Sequence, residues 1–432
     1  MTKVLLSFVG NRDPWADDTK EPGAALTLSE YLRPEFIYLL PSAKDFSTSH
    51  TEDRAKETQE YILEIFSPES QCYIRPLTVR DPTEYSELLP KVRAIVSDIV
   101  RRHNSEEEQV EFHLNVSSGT PQMNTCFYVL ANSGFIPKAK LWQVLNPEKA
   151  IGERVRPVTL AFLEEENILH RLRRYMASLN FRVMSDESEN MTQSSVYLER
   201  RNRARFTHRI FKAYELWDHL QYQRAYDKLL SVKNELDGTI EGQAILNILS
   251  EQVKCLRKLK ESKDKETPTN LLDIYYNAKR CYERGNFVDT LARFWRFFEG
   301  TVYYFLRERY GYNPREQYGE KTSLFTALEE LKRKDGNFKN FLQQIVKAKR
   351  SGSEQPLPLE ELLNELRERR NKSVAAHGMD PVEELDAKNS LMAGRILMEY
   401  LLASSDEAEF DLESYPLKKE HVEAIVNFVS EV

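Results

Sequence analysis

Five short apolar runs, KVLLSFVG, EFIYLLPS, CYIRPLTV, VEFHLNVSSG and AKLWQVLNP, punctuate the first 150 residues, and stretches with helical spacing separate them. This alternation constrains the fold more than any other feature of the chain. Parallel strands cannot be joined by a tight turn, so each needs a crossover, usually a helix. Strands covered by helices on both faces read as near-continuous apolar runs. TEDRAKETQEYILEIF and YSELLPKVRAIVSDIVRRH have the spacing of such crossover helices. Residues 1–150 therefore predict an α/β domain with a Rossmann-like parallel sheet. In that architecture a ligand binds outside the carboxyl ends of the strands, where strand order reverses.

Beyond about residue 160 the pattern becomes helical almost throughout. Val288, Leu291, Ala292, Trp295, Phe298, Val302 and Phe305 form a three-and-four repeat, preceded by a break at Gly285-Asn286 and stopped by YGYNP. Further helical stretches are expected from about Thr322, from Asn337, from Leu359 and from Pro381. The polar run KESKDKETPT, 260–269, reads as a joint. The predicted organisation is thus a Rossmann-like α/β domain over 1–150, a first helical section over 151–265 and an all-α bundle over 266–432.

Composition narrows the function. The net charge of −7 over 432 residues argues against a broadly nucleic-acid-coating surface, so any RNA or DNA site has to be a local basic patch. Cys72, Cys126, Cys255 and Cys281 form no close pair, which excludes a zinc ribbon or a CxxC redox motif and fits reduced thiols. No apolar run approaches the ~20 residues needed to cross a bilayer. MTKVLLSFVG reads as a first buried strand rather than a signal peptide. The expectation is a soluble, cytoplasmic protein. No Gly-x-Gly-x-x-Gly, Walker lysine, His-Glu-x-x-His or Gly-x-Ser-x-Gly is present. His113, alone among apolar neighbours on a predicted strand, reads as structural.

Two loops follow strands at the ligand-binding edge. GNRDPW, Gly10 to Trp15, follows the first run, and NVSSGTPQMN, Asn115 to Asn124, follows the fourth. Pro121 stands where a helix begins, a position that does not need its missing N–H, and this makes Thr120 the N-cap. Free backbone N–H groups, the helix dipole and the hydroxyls of Ser117, Ser118 and Thr120 are expected to converge, with Gly119 admitting a ligand to the backbone. That outlines a phosphate site. An isolated Ser-Gly-Thr would do no more than cap a helix, but a second unusual loop arrives at the same edge. Asn11 could hydrogen-bond a base and Trp15 could stack on one, although a loop tryptophan is as often half-buried packing.

The last candidate lies in LEELLNELRERRNKSVAAHG, Leu359 to Gly378. Leu359, Leu363 and Leu366 share one helical face, and the same count continues onto Arg370 and His377. If the helix runs on to Gly378 as its C′ residue, the two side chains lie about 10 Å apart along that face, with His377 in the last turn. Charge runs such as RERRNK are ordinarily a solvated face. Against that, Arg367, Arg369 and Lys372 fall to the sides while Arg370 takes the centre of the leucine stripe. Metal-free RNA cleavage needs proton transfer to and from the 2′- and 5′-oxygens and a cation for the phosphorus centre. Histidine and arginine suit those tasks, and Asn371 could orient either the histidine or the RNA. One helix supplies a single pair, so two copies meeting across a twofold axis would serve better.

GNRDPW, NVSSGTPQM and RNKSVAAH together resemble the CARF–HEPN ribonucleases of type III CRISPR systems, most closely their Csm branch. The resemblance covers nearly the whole chain, and six residues separate Arg370 from His377 as the HEPN motif allows. It implies a homodimeric, metal-independent endoribonuclease without cofactor, switched on by a cyclic oligoadenylate of four or six units and acting on single-stranded RNA. It carries ligand-binding roles onto Gly10, Asn11, Trp15, Ser117, Ser118, Gly119, Thr120 and Gln122, and catalytic roles onto Arg370, Asn371 and His377. Some relatives slowly cleave their own activator, for which Thr120 and Asn11 would be the candidates. The alternatives are a non-catalytic cyclic-oligonucleotide sensor, disfavoured by the lack of a clear helix-turn-helix, and a metal nuclease built on Glu261-Ser-Lys263, disfavoured by its place in the polar joint.

Overall fold

In a computed structural model the described residues are 2–16, 20–47, 49–103, 110–146, 152–240, 242–262, 266–313, 324–350, 353–405 and 408–431. The chain divides into two units, Met1–Glu164 and Glu165–Val432.

The first unit is the expected α/β layer structure. Its strands are β1 (Thr2–Phe8), β2 (Phe36–Leu40), β3 (Gln71–Ile74), β4 (Val110–Asn115), β5 (Ala139–Val144) and β6 (Val155–Val158). They lie in the order β3-β2-β1-β4-β5-β6, parallel except for the antiparallel edge strand β6. The helices are α1 (Ala24–Leu32), α2 (Glu52–Tyr61), α3 (Tyr85–His103) and α4 (Pro121–Asn132). Successive β1 side chains serve opposite layers. Val4, Leu6 and Phe8 pack with Val92, Val96, Phe127 and Leu130 of α3 and α4, whereas Leu5 packs with Leu26, Leu28 and Ala55 of α1 and α2. Burying each such side chain stabilises the fold by roughly 1.5–3 kcal/mol, and burial on both faces is why β1 shows no polar alternation. Strand order reverses between β1 and β4, so the loops after these two strands meet at the reversal.

The unit extends past the expected boundary at 150. β6 was invisible in the sequence because VRPV is short, half exposed and contains a proline tolerable only on a sheet edge.

The second unit comprises α5 (Ala161–Ala177, which begins in the first unit), α6 (Phe181–Ser194), α7 (Leu198–Asp218), α8 (Tyr222–Leu236), α9 (Gln243–Glu261), α10 (Pro268–Glu283), α11 (Phe287–Tyr310), α12 (Leu324–Lys334), α13 (Gly336–Leu342), α14 (Leu359–Lys372), α15 (Glu384–Ala403) and α16 (Lys419–Ser430). One apolar core runs from Ile168 to Val429, so both helical sections on either side of the polar joint feed it. Thr267 caps α10 at the joint. The stretch expected to stay helical from Asn337 does so only to Leu342, and a hairpin follows, β7 (Ile345–Arg350) against β8 (Ser353–Pro358). The residues predicted to open α12, around Thr322, lie outside the described ones. Two buried aspartates tie this unit together. Asp273 accepts hydrogen bonds from the Trp217 indole, Tyr222 and Tyr415 at 2.5–2.8 Å. Asp218 accepts from Arg280, Arg284 and Asn277 at 2.5–2.9 Å. These bonds join α7, α10 and the segment before α16, and each aspartate has its charge or lone pairs satisfied.

His113 is structural. It is 2 % exposed, and its Nδ1 accepts a 2.8 Å hydrogen bond from the Trp142 indole on the neighbouring strand. Burial pushes its pKa down to about 4, against a smaller opposing pull from Glu111. The unfolded chain therefore binds this proton first as pH falls, so stability is complete above about pH 6.5 and is lost between there and about pH 4. Urea denaturation followed by Trp142 emission should show a loss on the order of 2–3 kcal/mol across that window, and His113→Gln should flatten the dependence.

Candidate functional site

At the strand-order reversal the two loops touch backbone to backbone. A Cβ on Gly10 would stand 2.8 Å from the Gly119 nitrogen. Gly119 itself has φ +85°, the left-handed region, with Phe8 and Met123 both 2.9 Å from where a side chain would begin. Only glycine permits this approach. Around it Gly10, Asn11, Ser117, Ser118 and Gly119 line a cavity of about 430 Å³ together with Asp13, Asn146 and Arg154.

Of the three hydroxyls expected to converge, those of Ser117 and Ser118 belong to cavity-lining residues, whereas Thr120 is turned to other partners. Thr120 Oγ1 caps α4 by accepting from the Met123 N–H and donates to the Pro82 carbonyl. Ser117 Oγ accepts from the Val144 N–H, and Ser118 Oγ accepts from Asn115. Thr120, Gln122 and Trp15 are not among the cavity's lining residues. Trp15 is half-buried and packs edge-on against Tyr61 and Phe66 at 5.4 and 6.0 Å, the packing alternative to base stacking. Gln122 is half-buried, and its side-chain oxygen has no partner among the described residues.

Asp13 was passed over in the sequence and organises the loop. It is 1 % exposed and accepts from the N–H of Gly10 at 2.9 Å and of Ala25 at 3.3 Å. Burial raises its carboxyl above the ordinary range, against the pull of those bonds and of Ser118. Its placement inside GNRDPW was the available signal. Arg154 had none: it stands just before β6, donating to the Leu145 and Pro22 carbonyls with its charge at the cavity wall.

In the second unit α14 buries Leu359, Leu362, Leu363 and Leu366 and ends sooner than expected, at Lys372. Ser373 is extended, with φ −97° and ψ 170°, and its hydroxyl donates back to the Arg370 carbonyl. The chain then folds over the helix end: Gly378 N–H bonds to the Ser373 carbonyl and Asp380 N–H to the Lys372 carbonyl. His377 is thus in a turn beyond the helix rather than in its last turn, and Gly378 is no C′ residue. Its glycine is required by contact, since a Cβ would fall 1.8 Å from the Lys372 carbonyl oxygen.

The arginines of RERRNK have different fates. Arg367 stands over the Phe325 ring at 5.3 Å, and Arg369 pairs with Asp386 at 3.3 Å. Among the described residues the Arg370 guanidinium has no hydrogen-bond or ion-pair partner; it is half exposed and shares the lining of one cavity with Asn371. Asn371 and His377 are exposed. Among the described residues none of these three side chains has a hydrogen-bond or ion-pair partner. Among the described residues no group of three or more His, Cys, Asp or Glu side chains forms a metal site, and no helix is long and apolar enough to cross a membrane.

The chain is similar to several known proteins. Residues 259–394 match the family described as the Csm6 HEPN domain, and residues 38–178 match the family described as the regulator of RNA terminal phosphate cyclase. A curated relative, the CRISPR system endoribonuclease Csm6′ of Streptococcus thermophilus, is 25% identical over 314 residues, covering 71% of this chain and 73% of the relative. The structure of Enterococcus italicus Csm6 bound to cyclic hexa-2′-fluoro-hexa-dAMP has the same fold, with a TM-score of 0.50, 18% identity and 99% of each chain covered. A Rossmann-like unit followed by a helical unit whose residues 259–394 match the HEPN model is the arrangement of the CARF–HEPN class. Within that class the similarities are to proteins of the Csm6 type.

Two substitutions test the local geometry. Gly378→Ala forces a side chain onto a backbone that cannot yield and should cost about 1–3 kcal/mol, read as a lower thermal midpoint. Asp13→Ala strands two loop N–H groups and should cost about 1–3 kcal/mol, read by denaturant titration, with the Gly10 loop amides losing hydrogen-exchange protection.

Proposed function

We propose that this protein is a metal-independent endoribonuclease of type III CRISPR defence, switched on by a cyclic oligoadenylate and cleaving single-stranded RNA as a homodimer. The observation that carries the reading is the unpartnered Arg370 guanidinium at the end of a leucine-lined helix whose neighbouring arginines are both engaged. A cation kept free of carboxylates is available to a phosphate, and guanidinium binds two phosphate oxygens at once.

The chemistry divides among few groups. A histidine takes the proton of the RNA 2′-hydroxyl, whose oxygen attacks the adjacent phosphorus. The P–O5′ bond breaks, the departing 5′-oxygen takes a proton, and a 2′,3′-cyclic phosphate remains. Two proton transfers want two positioned groups, and each chain offers one His377. A twofold pairing of α14 ends supplies both, with Arg370 steadying the charged phosphorus centre and Asn371 orienting the strand. Residues 266–432 would then be the catalytic domain and 151–265 the helical section before it.

The activator reading rests on the cavity at the β1/β4 reversal. Its exposed Asn11, the backbone of Gly119, and Arg154 are suited to phosphates and adenine edges. Ser117 and Ser118 hold the cavity wall, while Trp15, Thr120 and Gln122 would act around it. Slow cleavage of the activator falls to Asn11, because the Thr120 hydroxyl is committed to the Pro82 carbonyl. The Enterococcus relative carries a six-membered ring, so cyclic hexa-adenylate leads the assay and cyclic tetra-adenylate is its comparison.

His377→Ala and Arg370→Ala should each lower ring-stimulated RNA cleavage by about 10²–10⁴-fold while ring binding persists. EDTA should leave the rate unaltered, and products should carry 2′,3′-cyclic phosphate ends. Full activity in His377→Ala, or strong inhibition by EDTA, would overturn the assignment. Ring binding without cleavage of any RNA would favour a non-catalytic sensor.

A further inference from the structure

Beside Arg370 lies a cavity of about 190 Å³ that the proposed phosphate chemistry does not use. Trp295 and Phe298 of α11, Phe325 of α12, and Asn364, Arg370 and Asn371 of α14 are among its lining residues. Trp295 is only 6 % exposed, and its indole nitrogen is buried without a hydrogen-bond partner among the described residues. The ring is held edge-on against Phe294 and Phe298, each at 5.6 Å, so the donor is fixed in place. A buried indole N–H nearly always finds an acceptor, and one that lacks a partner inside the protein is open to a ligand. Asn364 is exposed, and among the described residues its side-chain amide has no hydrogen-bond partner either. Asn364, Arg367 and Asn371 recur at helical spacing on one face of α14, and Arg370, three residues after Arg367, lines the same cavity.

We propose that this cavity takes one base of the RNA substrate, next to the phosphate gripped by Arg370, and reads it through the Trp295 indole N–H and the Asn364 amide. The proposal rests on the ribonuclease reading of Arg370 and His377. Its volume is below the roughly 300 Å³ at which pockets for drug-sized ligands begin, which suits a planar heterocycle without its sugar. Aromatic walls stack any base about equally, so they supply affinity rather than choice. Choice comes from hydrogen bonding. The indole can only donate and therefore demands an acceptor on the base edge, while the amide offers both a donor and an acceptor. Trp295 and Asn364 are thus specificity-determining residues, separate from the groups that handle the proton and the phosphate.

The test uses the full-length protein with its activating ring and short single-stranded RNAs that differ only in the base flanking one cleavable position. Trp295→Phe keeps the ring and deletes the N–H. The ratio of kcat/KM between the preferred and least-preferred RNA should fall about fivefold to tenfold. Asn364→Ala, on an exposed side chain that cannot threaten the core, should narrow the ratio in the same direction. A base pattern identical to wild type in both variants overturns the proposal. A second readout separates it from the parent reading: a 2′-deoxy-substituted, uncleavable oligonucleotide should quench tryptophan emission in the wild type and not in Trp295→Phe. Quenching without any RNA cleavage would sink the ribonuclease reading and retain the base site. His377-dependent cleavage with an unmoved base pattern and no Trp295-dependent quenching would do the reverse.

Discussion

The termination of α14 at Lys372 is the constraint on which the C-terminal site depends. Leucines at 359, 362, 363 and 366 anchor the helix to the core, which fixes where Arg370 emerges. Had the helix continued, His377 would have been carried a further turn and more along the axis, away from the arginine. Instead the chain doubles back so tightly that the Gly378 backbone lies on the Lys372 carbonyl. The helix end thereby gains the partners that its last carbonyls lack, with Ser373 and Asp380 supplying N–H groups to Arg370 and Lys372. Helix capping and the presentation of His377 are one event. A residue with any side chain at 378 would separate them.

The first unit solves a related problem differently. Loops at a strand-order reversal expose backbone N–H groups, and two such loops in contact would ordinarily strand several of them. Asp13 removes that cost for the Gly10 loop and the start of α1 at once. The loop hydroxyls do the same for the β5 end and for α4. The hydroxyls thus build the cavity rather than filling it, and backbone together with Asn11 and Arg154 is left facing inward. Where a ligand meets mostly backbone, its recognition depends on loop shape. The buried carboxylate that sets the shape then matters as much as any contacting side chain.

These distinctions mark how far the chain could be read before its structure. The five strands and the α/β layer order were legible because burial on both faces forces continuous apolar runs such as VLLSF. Pro121 announced α4 and Thr120 its cap through fixed local stereochemistry. The stop at Lys372 was not legible, since KSVAAH carries ordinary helix formers and the contacts that end the helix come from Gly378 and Asp380, beyond it in sequence. The β7–β8 hairpin was missed for a similar reason: IVKAKR alternates buried and exposed residues over a stretch too short to outweigh the helical spacing around it. Arg370 was found from its position on the leucine face. Its lack of a partner, the property that matters chemically, is a tertiary fact, decided by where Asp386 and Phe325 lie relative to Arg369 and Arg367.

On the proposed reading, regulation has an arithmetic that these loops can meet. Moving a two-state dimer from almost wholly inactive to almost wholly active takes a differential affinity of about 5.5 kcal/mol. A ring bound on a twofold axis meets the same loop set twice, so each protomer has to supply only half of that. One or two additional hydrogen bonds to charged phosphate oxygens, each contributing about 1.5–3 kcal/mol, are sufficient. The β1/β4 reversal offers them from the Gly119 backbone and the Asn11 side chain, the Gly10 N–H being held by Asp13. Symmetry then does the remaining work: an activator too small to present equivalent contacts to both copies gains one loop set only and falls short of the threshold. On that reading ring size is decided by loop spacing across the axis, and a cyclic activator would be preferred over a linear one because only a closed ring can satisfy both copies identically.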